Sequence, residues 1–498
     1  MFGKTTNKKS ILLLVALFMC AILVFAACNP TNKFTPVTKP ESATAEGNGG
    51  IAVRYGEYVY YVNGYQGSSS ASNGYNAEIR SGSVVRIKIA DLEKIIKINT
   101  ADATTAKKSD AIAKVVAGKP DAIKNEALKN LVQGIGGAET VVPNFYYSGN
   151  TTDTSLNGIY VFNDRIYVTT PNNELDANGN ILNGQLVLAS YDLGGGDVKR
   201  HFVFETNAPV LKLSQLADNG VCATFVLDGK LSTVKLGDTL VSEATVISEE
   251  ITSPKFSGDY VYFLDKDGSV CQYKIGNEQA TVLVKNEVEE GHEGHDHNNS
   301  YTIQSVNNDY VYYTSSQDAT SKLYCATAEK SNVVVLNTLP TSFFGWKEKV
   351  VYTASVPEEA VSMYGIWLVS GDGSDRTEIL DPAQNGSAIT LNKLDGDVLY
   401  YTANNVSYTI NLAQANAVPE AYAYGLSTSE TGWSVPDVLS FDWTHGDKTE
   451  KITYVFSLSS ASVSVVKFNA ERKNNNIPNT TTSSAVDITL TVIETSEK

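Results

Sequence analysis

Polar turns followed by alternating aromatic and aliphatic residues recur along the chain: Gly258-Asp259-Tyr260-Val261-Tyr262-Phe263, Asn308-Asp309-Tyr310-Val311-Tyr312-Tyr313 and Gly396-Asp397-Val398-Leu399-Tyr400-Tyr401. Gly, Asn and Asp tolerate the backbone of a tight turn, and aromatic or β-branched residues fill a pleated, half-buried surface, so each phrase predicts a turn that leads into a strand. Strands of this kind are expected at 58–62, 160–168, 221–227, 260–264, 310–314, 350–353, 398–402 and 452–456. Most units offer a second strand after a further turn, at 269–275, 322–326, 366–369, 406–412 and 463–468.

Past the first unit the repeat runs at roughly 40 to 55 residues, a period that belongs to stacked supersecondary units. With almost no helical periodicity, the pattern predicts an all-β chain: a β-propeller of seven or eight four-stranded blades over residues 51–470. Two segments break the β pattern. Within about residues 101–133, Ser109 caps a predicted helix bearing Ile112, Val115 and Val116, and Pro120 starts a second with Ile123, Ala127, Leu128 and Leu131 on one face. A small helical insertion is therefore expected beside the first blade. Residues 471–485 are polar and read as a linker, after which Val486, Ile488, Leu490 and Val492 alternate with Asp487, Thr489 and Thr491. That strand is expected to close the ring by completing the first blade.

At the other end, Lys4, Lys8 and Lys9 precede an apolar run over 11–25 and a small-residue exit, Ala26-Ala27-Cys28. The run is short for a spanning helix, which needs about 20 residues, and it reads as an export signal over 1–27. Phe25-Ala26-Ala27-Cys28 resembles the bacterial lipobox, which implies cleavage before Cys28 and attachment of diacylglycerol to its thiol. Residues 28–50, with Pro30, Pro36, Pro40, Gly47, Gly49 and Gly50, read as a flexible tether that would hold the folded part about 25 Å from the membrane. The expected location is extracytoplasmic, lipid-anchored to the bacterial cell membrane. Losing residues 1–27 removes three lysines and no acids, so the net charge of −16 becomes −19. An acidic chain of this kind is a poor ligand for nucleic acid and gains nothing from anionic head groups.

The aromatic segments carry a second resemblance. Tyr312-Tyr313-Thr314-Ser315, Tyr400-Tyr401-Thr402-Ala403 and Tyr262-Phe263-Leu264-Asp265 resemble the Tyr-Trp-Thr-Asp blade motif of low-density-lipoprotein-receptor-type propellers, in the degenerate form of bacterial surface lipoproteins. Trp is replaced throughout, and the Asp survives only at Asp265. In that family the motif packs blades, so the resemblance implies a structural role for these tyrosines.

Candidate chemistry is sparse. Three of the five histidines fall at His292, His295 and His297 within an acidic, Gly-containing segment. Neutral imidazoles suit zinc, copper and nickel, so weak metal capture there competes with a plain solvated loop. His292-Glu293-Gly294-His295 is one residue short of the zinc-protease spacing, which disfavours a protease. If the tract binds metal, isothermal titration with zinc gives stoichiometric heats that a triple His-to-Ala variant loses; heats at the noise level would dismiss it. Asp176-Ala177-Asn178-Gly179-Asn180 has oxygens at alternate positions, but Val187 stands where a calcium loop needs its bidentate Glu, so a hairpin loop is expected. Cys222, Cys271 and Cys325 each sit in an apolar run and are expected to be buried thiols, with Cys271 and Cys325 at equivalent repeat positions.

No catalytic motif is present, and Asp259, Asp309, Asp395 and Asp397 read as turn formers. The function expected is a non-catalytic binding or scaffold module for a protein or glycan, with no cofactor beyond weak zinc at the His-rich loop. The alternative is an envelope metal-handling protein or a propeller enzyme that uses that loop or a central channel.

Overall fold

The Tyr-Val-Tyr phrase forms the second strand of a four-stranded antiparallel sheet each time it occurs. The structure, a computed structural model, describes residues 44–50, 52–63, 83–91, 94, 123–124, 126–142, 158–171, 186–204, 210–286, 299–356, 363–370, 375–380, 389–414 and 417–422. It also describes the backbone of 427–428, 434–435, 437–445, 448–461 and 485–495.

Seven four-stranded sheets follow one another among these residues, each with its strands in chain order. The first comprises Ala52–Tyr55, Tyr58–Asn63, Ser83–Lys88 and Glu139–Val142; the second Tyr160–Phe162, Arg165–Pro171, Leu186–Asp192 and Lys199–Phe204. The third comprises Val210–Gln215, Val221–Leu227, Lys230–Leu236 and Thr245–Ser248; the fourth Thr252–Ser257, Tyr260–Leu264, Val270–Lys274 and Thr281–Val284. The fifth comprises Tyr301–Asn307, Tyr310–Ser315, Leu323–Ala326 and Val333–Leu336; the sixth Phe343–Trp346, Lys349–Val356, Met363–Ser370 and Asp375–Leu380. The seventh comprises Ile389–Asp395, Val398–Ala403, Val406–Asn411 and Glu420–Tyr422.

The second strands of the first six sheets bury residues on both of their faces, which is why they read as nearly continuous apolar runs, whereas that of the seventh alternates buried and half-buried positions. In the fifth sheet Val311 and Tyr313 pack with Tyr262, Val270 and Ile303 towards the fourth sheet, while Tyr312 packs with Leu323, Val350 and Val369 towards the sixth. Equivalent cores join the second sheet to the third, the third to the fourth, and the sixth to the seventh. At about 1.5–3 kcal/mol per buried large apolar side chain, these shared cores are the main force that stacks one sheet on the next.

Six of the seven sheets place one unpaired residue at the same point of the fourth strand: Val141, His201, Ile247, Leu283, Val335 and Ile379. Such a β-bulge bends the outer strand and turns an extra side chain out of register. Five of the six are aliphatic, and His201 is the departure.

Several expectations change. The apolar stretch 160–168 is a hairpin, not one strand: Asn163 and Asp164 both have positive φ (50° and 58°) and make the type I′ turn between Phe162 and Arg165. Cys222, Cys271 and Cys325 are buried and free, but Cys271 and Cys325 are not equivalent. Tyr262 pairs with Gln272 in the fourth sheet and Tyr312 with Cys325 in the fifth, so Cys271 is one residue out of step and faces the opposite side.

The strand Ala485–Thr495 exists, yet it pairs with Lys448–Ala461 in a three-stranded sheet with Asp437–His445. It does not complete the first sheet, because that sheet draws its fourth strand, Glu139–Val142, from its own segment. Its backbone packs near the second strand of the first sheet, and Asp437–His445 packs near the first strand. The helical insertion enters between the third and fourth strands of the first sheet, where helix Glu126–Leu131 corresponds to the second predicted helix. The first predicted helix and the strand expected at 463–468 lie outside the described residues, as does the linker at 471–484.

Candidate functional site

The turn between the first and second strands carries a carboxylate in every one of the seven sheets: Glu57, Asp164, Asp218, Asp259, Asp309, Glu348 and Asp397. In five of them the turn has two residues, with positive φ at the first only: Gly56, Gly258, Asn308, Lys347 and Gly396. That is the pattern of a type II′ hairpin, whose second central position takes an ordinary residue and here takes Asp or Glu.

These turns are linked from sheet to sheet by hydrogen bonds. The Tyr55 hydroxyl donates to Asp164 Oδ1 (2.6 Å), and Asn163 Nδ2 donates to the Asn219 carbonyl (2.7 Å). Lys212 Nζ donates to the Gly258 carbonyl, the Tyr262 hydroxyl to the Asn308 carbonyl (2.9 Å), and the Tyr312 hydroxyl to the Lys347 carbonyl. Trp346 Nε1 then donates to Asp397 Oδ1 (2.8 Å). The seven turns thus form one continuous polar arc along a single edge of the stacked sheets.

Lysines stand beside several of these acids. Lys88 lies 3.8 Å from Glu57, Lys235 2.5 Å from Asp218, Lys330 2.5 Å from Glu348 and Lys347 3.3 Å from Asp397. The Lys235 hydrogen bond holds Asp218 below the usual carboxylate range, and the Trp346 N–H does the same for Asp397, so both are ionised at neutral pH. Asp259 and Asp309 are exposed. Chemically the arc offers carboxylates and turn carbonyls as acceptors, with lysine ammoniums as donors, which suits the amide, hydroxyl and cationic groups of a protein or glycan.

Cys28, His292, His295 and His297 lie outside the described residues, as does the 172–185 segment with Asp176. The strands that flank the His tract place its ends. Val284 pairs with Val270 and Tyr301 with Ser315, at the end of the fourth and fifth sheets opposite the acidic turns. Pro171 pairs with Leu186 as the two arms of a hairpin, likewise at that opposite end. The described residues that flank the histidine tract therefore lie at the opposite end of these sheets from the acidic arc. Among the described residues no group of three or more His, Cys, Asp and Glu is placed to hold a metal, and no helix is long and apolar enough to cross a membrane.

One pairing resembles catalytic machinery. His201 Nε2 lies 2.7 Å from Ser190 Oγ, but Ser190 is 0% and His201 3% exposed, so no substrate reaches the hydroxyl. The sequence patterns did not single out either residue; the signal is positional, an imidazole where equivalent bulges carry aliphatics.

No protein-family model and no curated protein matches this chain. Solved structures show distant likeness. The computationally designed Ika8 protein aligns at 12% identity over 60% of this chain and 82% of its own, with a TM-score of 0.28. The GH74 enzyme of Niastella koreensis aligns at 10% identity over 64% of this chain and 51% of its own, with a TM-score of 0.29. Prolyl oligopeptidase B from Galerina marginata aligns at 10% identity over 83% of this chain and 55% of its own, with a TM-score of 0.27. This chain spans about half the length of the two enzymes.

Proposed function

We propose that this chain is a lipid-anchored, extracytoplasmic β-propeller that binds a protein or glycan along its acidic-turn edge and performs no catalysis. The seven sheets are its blades, and the three-stranded sheet of Asp437–His445, Lys448–Ala461 and Ala485–Thr495 is the closing unit between the seventh blade and the first. Packing of Asp437–His445 near Ala52–Tyr55 supports that closure. Cys28 carries the membrane anchor, and the tether after it leaves the ring free to present one edge outward. Fold alone licenses no chemistry. The observation that carries the binding reading is the repeated arc of seven acid-bearing turns, hydrogen-bonded in series and exposed at Asp259 and Asp309.

The test is site-specific photocrosslinking on intact cells, with a photoreactive residue replacing Asp259 or Asp309, and controls at Gln317 on the opposite end and Thr377 on an outer strand. A discrete adduct from the two turn positions and none from the controls is the expected result. Protease sensitivity of the adduct marks a protein ligand, and periodate sensitivity a glycan. Adducts confined to Gln317 or Thr377, or a smear shared by all four positions, overturn the reading.

A further inference from the structure

We propose that His201 is a pH-responsive latch between the second and third sheets, closed at neutral pH and weakened as the pH falls below about 6.5. The hydrogen-bond chain determines its protonation. Arg165 Nε can only donate, and it lies 2.9 Å from Ser190 Oγ, so that oxygen accepts from Arg165. Because the Gly237 carbonyl beside Nδ1 can only accept, Nε2 is the bare nitrogen of the neutral ring, and the Ser190 hydroxyl, 2.7 Å away, donates to it. The other nitrogen, Nδ1, carries the hydrogen and donates to the Gly237 carbonyl at 2.8 Å. Gly237 belongs to the connection between the third and fourth strands of the third sheet, so the neutral imidazole spans two sheets.

The same junction holds three further contacts. The Val241 amide donates to the His201 carbonyl (2.8 Å), Phe202 bridges Val241 in parallel, and Lys199 pairs with Asp238 at 2.6 Å. The ring itself stacks on Tyr167 at 5.5 Å. A proton added at Nε2 has nowhere good to go. It meets a hydroxyl that already accepts from Arg165, and the hydroxyl's own hydrogen loses its acceptor. It also places a third positive charge beside Arg165 and Lys199 at a site 3% exposed, while the nearby carboxylates, Asp197 and Asp238, are engaged by Arg165 and Lys199.

Burial pushes the imidazole below its ordinary value, and Arg165 and Lys199 push the same way against the Gly237 carbonyl and Asp238. For a group with a depressed folded value, the junction has its full strength above the unfolded value of about 6.5 and loses it as pH falls through the folded value. Within that window the closed-to-open ratio falls by up to about tenfold per pH unit. Of the five histidines, three lie at 292–297 and one at 445, so within the strands of the seven sheets the effect belongs to His201 alone.

Amide hydrogen exchange, corrected for the intrinsic rate at each pH, tests this. Between pH 7.5 and 5.5 protection of the Val241 amide is expected to fall severalfold, up to about tenfold, while that of Leu412, bonded to Asp397 in the seventh sheet, stays within about twofold. His201→Leu, which restores the aliphatic residue of the equivalent bulges, is expected to abolish the difference. Equal losses at Val241 and Leu412, or an unchanged slope in His201→Leu, overturn the proposal. Should that variant fail to fold, the wild-type imidazole titrated by NMR decides: a midpoint below about 6.5 supports the latch, and one at or above it refutes it.

Discussion

Replacing Gly345 with Ala is expected to destabilise the protein by about 3 kcal/mol or more, although only one methyl group is added. A Cβ at this position falls 1.8 Å from Cε2 and 2.1 Å from Cδ2 of Tyr312. The Tyr312 ring is 0% exposed and surrounded by Leu323, Cys325, Val335, Val350 and Val369, so it has no room to step aside. Expelling the ring abandons a fully buried aromatic and leaves the Lys347 carbonyl without its donor. Keeping it forces the strand Phe343–Trp346 away from Lys349–Val356, where Gly345 pairs with Val350. Each route costs on the scale of an aromatic-to-Ala core substitution, about 3–5 kcal/mol.

Equilibrium denaturation followed by tryptophan fluorescence, to which Trp346, next along the same strand, contributes with the chain's three other tryptophans, measures the loss. Tyr312→Ala alone is expected to cost about 3–5 kcal/mol. The double variant should cost much less than the sum, because Ala at 312 removes the ring that the new methyl strikes. A Gly345→Ala protein within about 0.5 kcal/mol of the wild type, the range of an ordinary surface substitution, would show that this junction is not packed as described.

The Tyr312–Gly345 contact also shows where sequence reasoning reaches its limit. The second strands were legible because both of their faces are covered: Val311, Tyr312 and Tyr313 are all buried, and a continuous run of β formers stands out. The first strands were not. Thr252–Ser257 reads Thr-Ser-Pro-Lys-Phe-Ser, with Phe256 as its buried apolar anchor and a residue of positive φ, Ser253, inside it. A strand with one buried side chain has no period to detect. Phe343–Trp346 is too short to show one, and its partner surface, the ring of Tyr312, lies in the neighbouring repeat.

Register was hidden for a related reason. A bulge inserts one residue, which leaves composition unchanged but turns every later side chain to the other face. For the cysteines the connection does the same: Tyr312 to Cys325 spans thirteen residues where Tyr262 to Gln272 spans ten, so Cys271 and Cys325 look equivalent and are not, while the bulge that sets His201 apart shows only in the strand pairing. The acidic turns lie between these cases. Asp259, Asp309 and Asp397 were legible as turn formers from Gly-Asp and Asn-Asp. Their serial linkage was not, because the donors, such as Tyr262 and Trp346, sit about one repeat earlier in the chain.

Cys28→Ala is expected to act all or none on lipidation and on removal of residues 1–27. A single acyl chain gives only marginal, reversible binding, and stable anchoring needs a second chain or a polybasic patch. The diacylglycerol proposed at Cys28 supplies two chains at once, each CH₂ worth about 0.8 kcal/mol when buried. The rest of the mature chain supplies no substitute, because its net charge without residues 1–27 is −19 and an anionic leaflet repels it. Metabolic labelling with a palmitate analogue should therefore mark the wild type and leave Cys28→Ala blank. The variant should also keep residues 1–27, since the proposed cleavage waits for the lipidated cysteine, and so run as a heavier precursor held only by its apolar segment. Cys20→Ala serves as the control: Cys20 lies inside the apolar run, behind Phe18 and Met19, and its loss should leave both label and processing intact. Label retained in Cys28→Ala, or lost in Cys20→Ala, would remove the anchor from Cys28 and with it the proposed orientation of the ring.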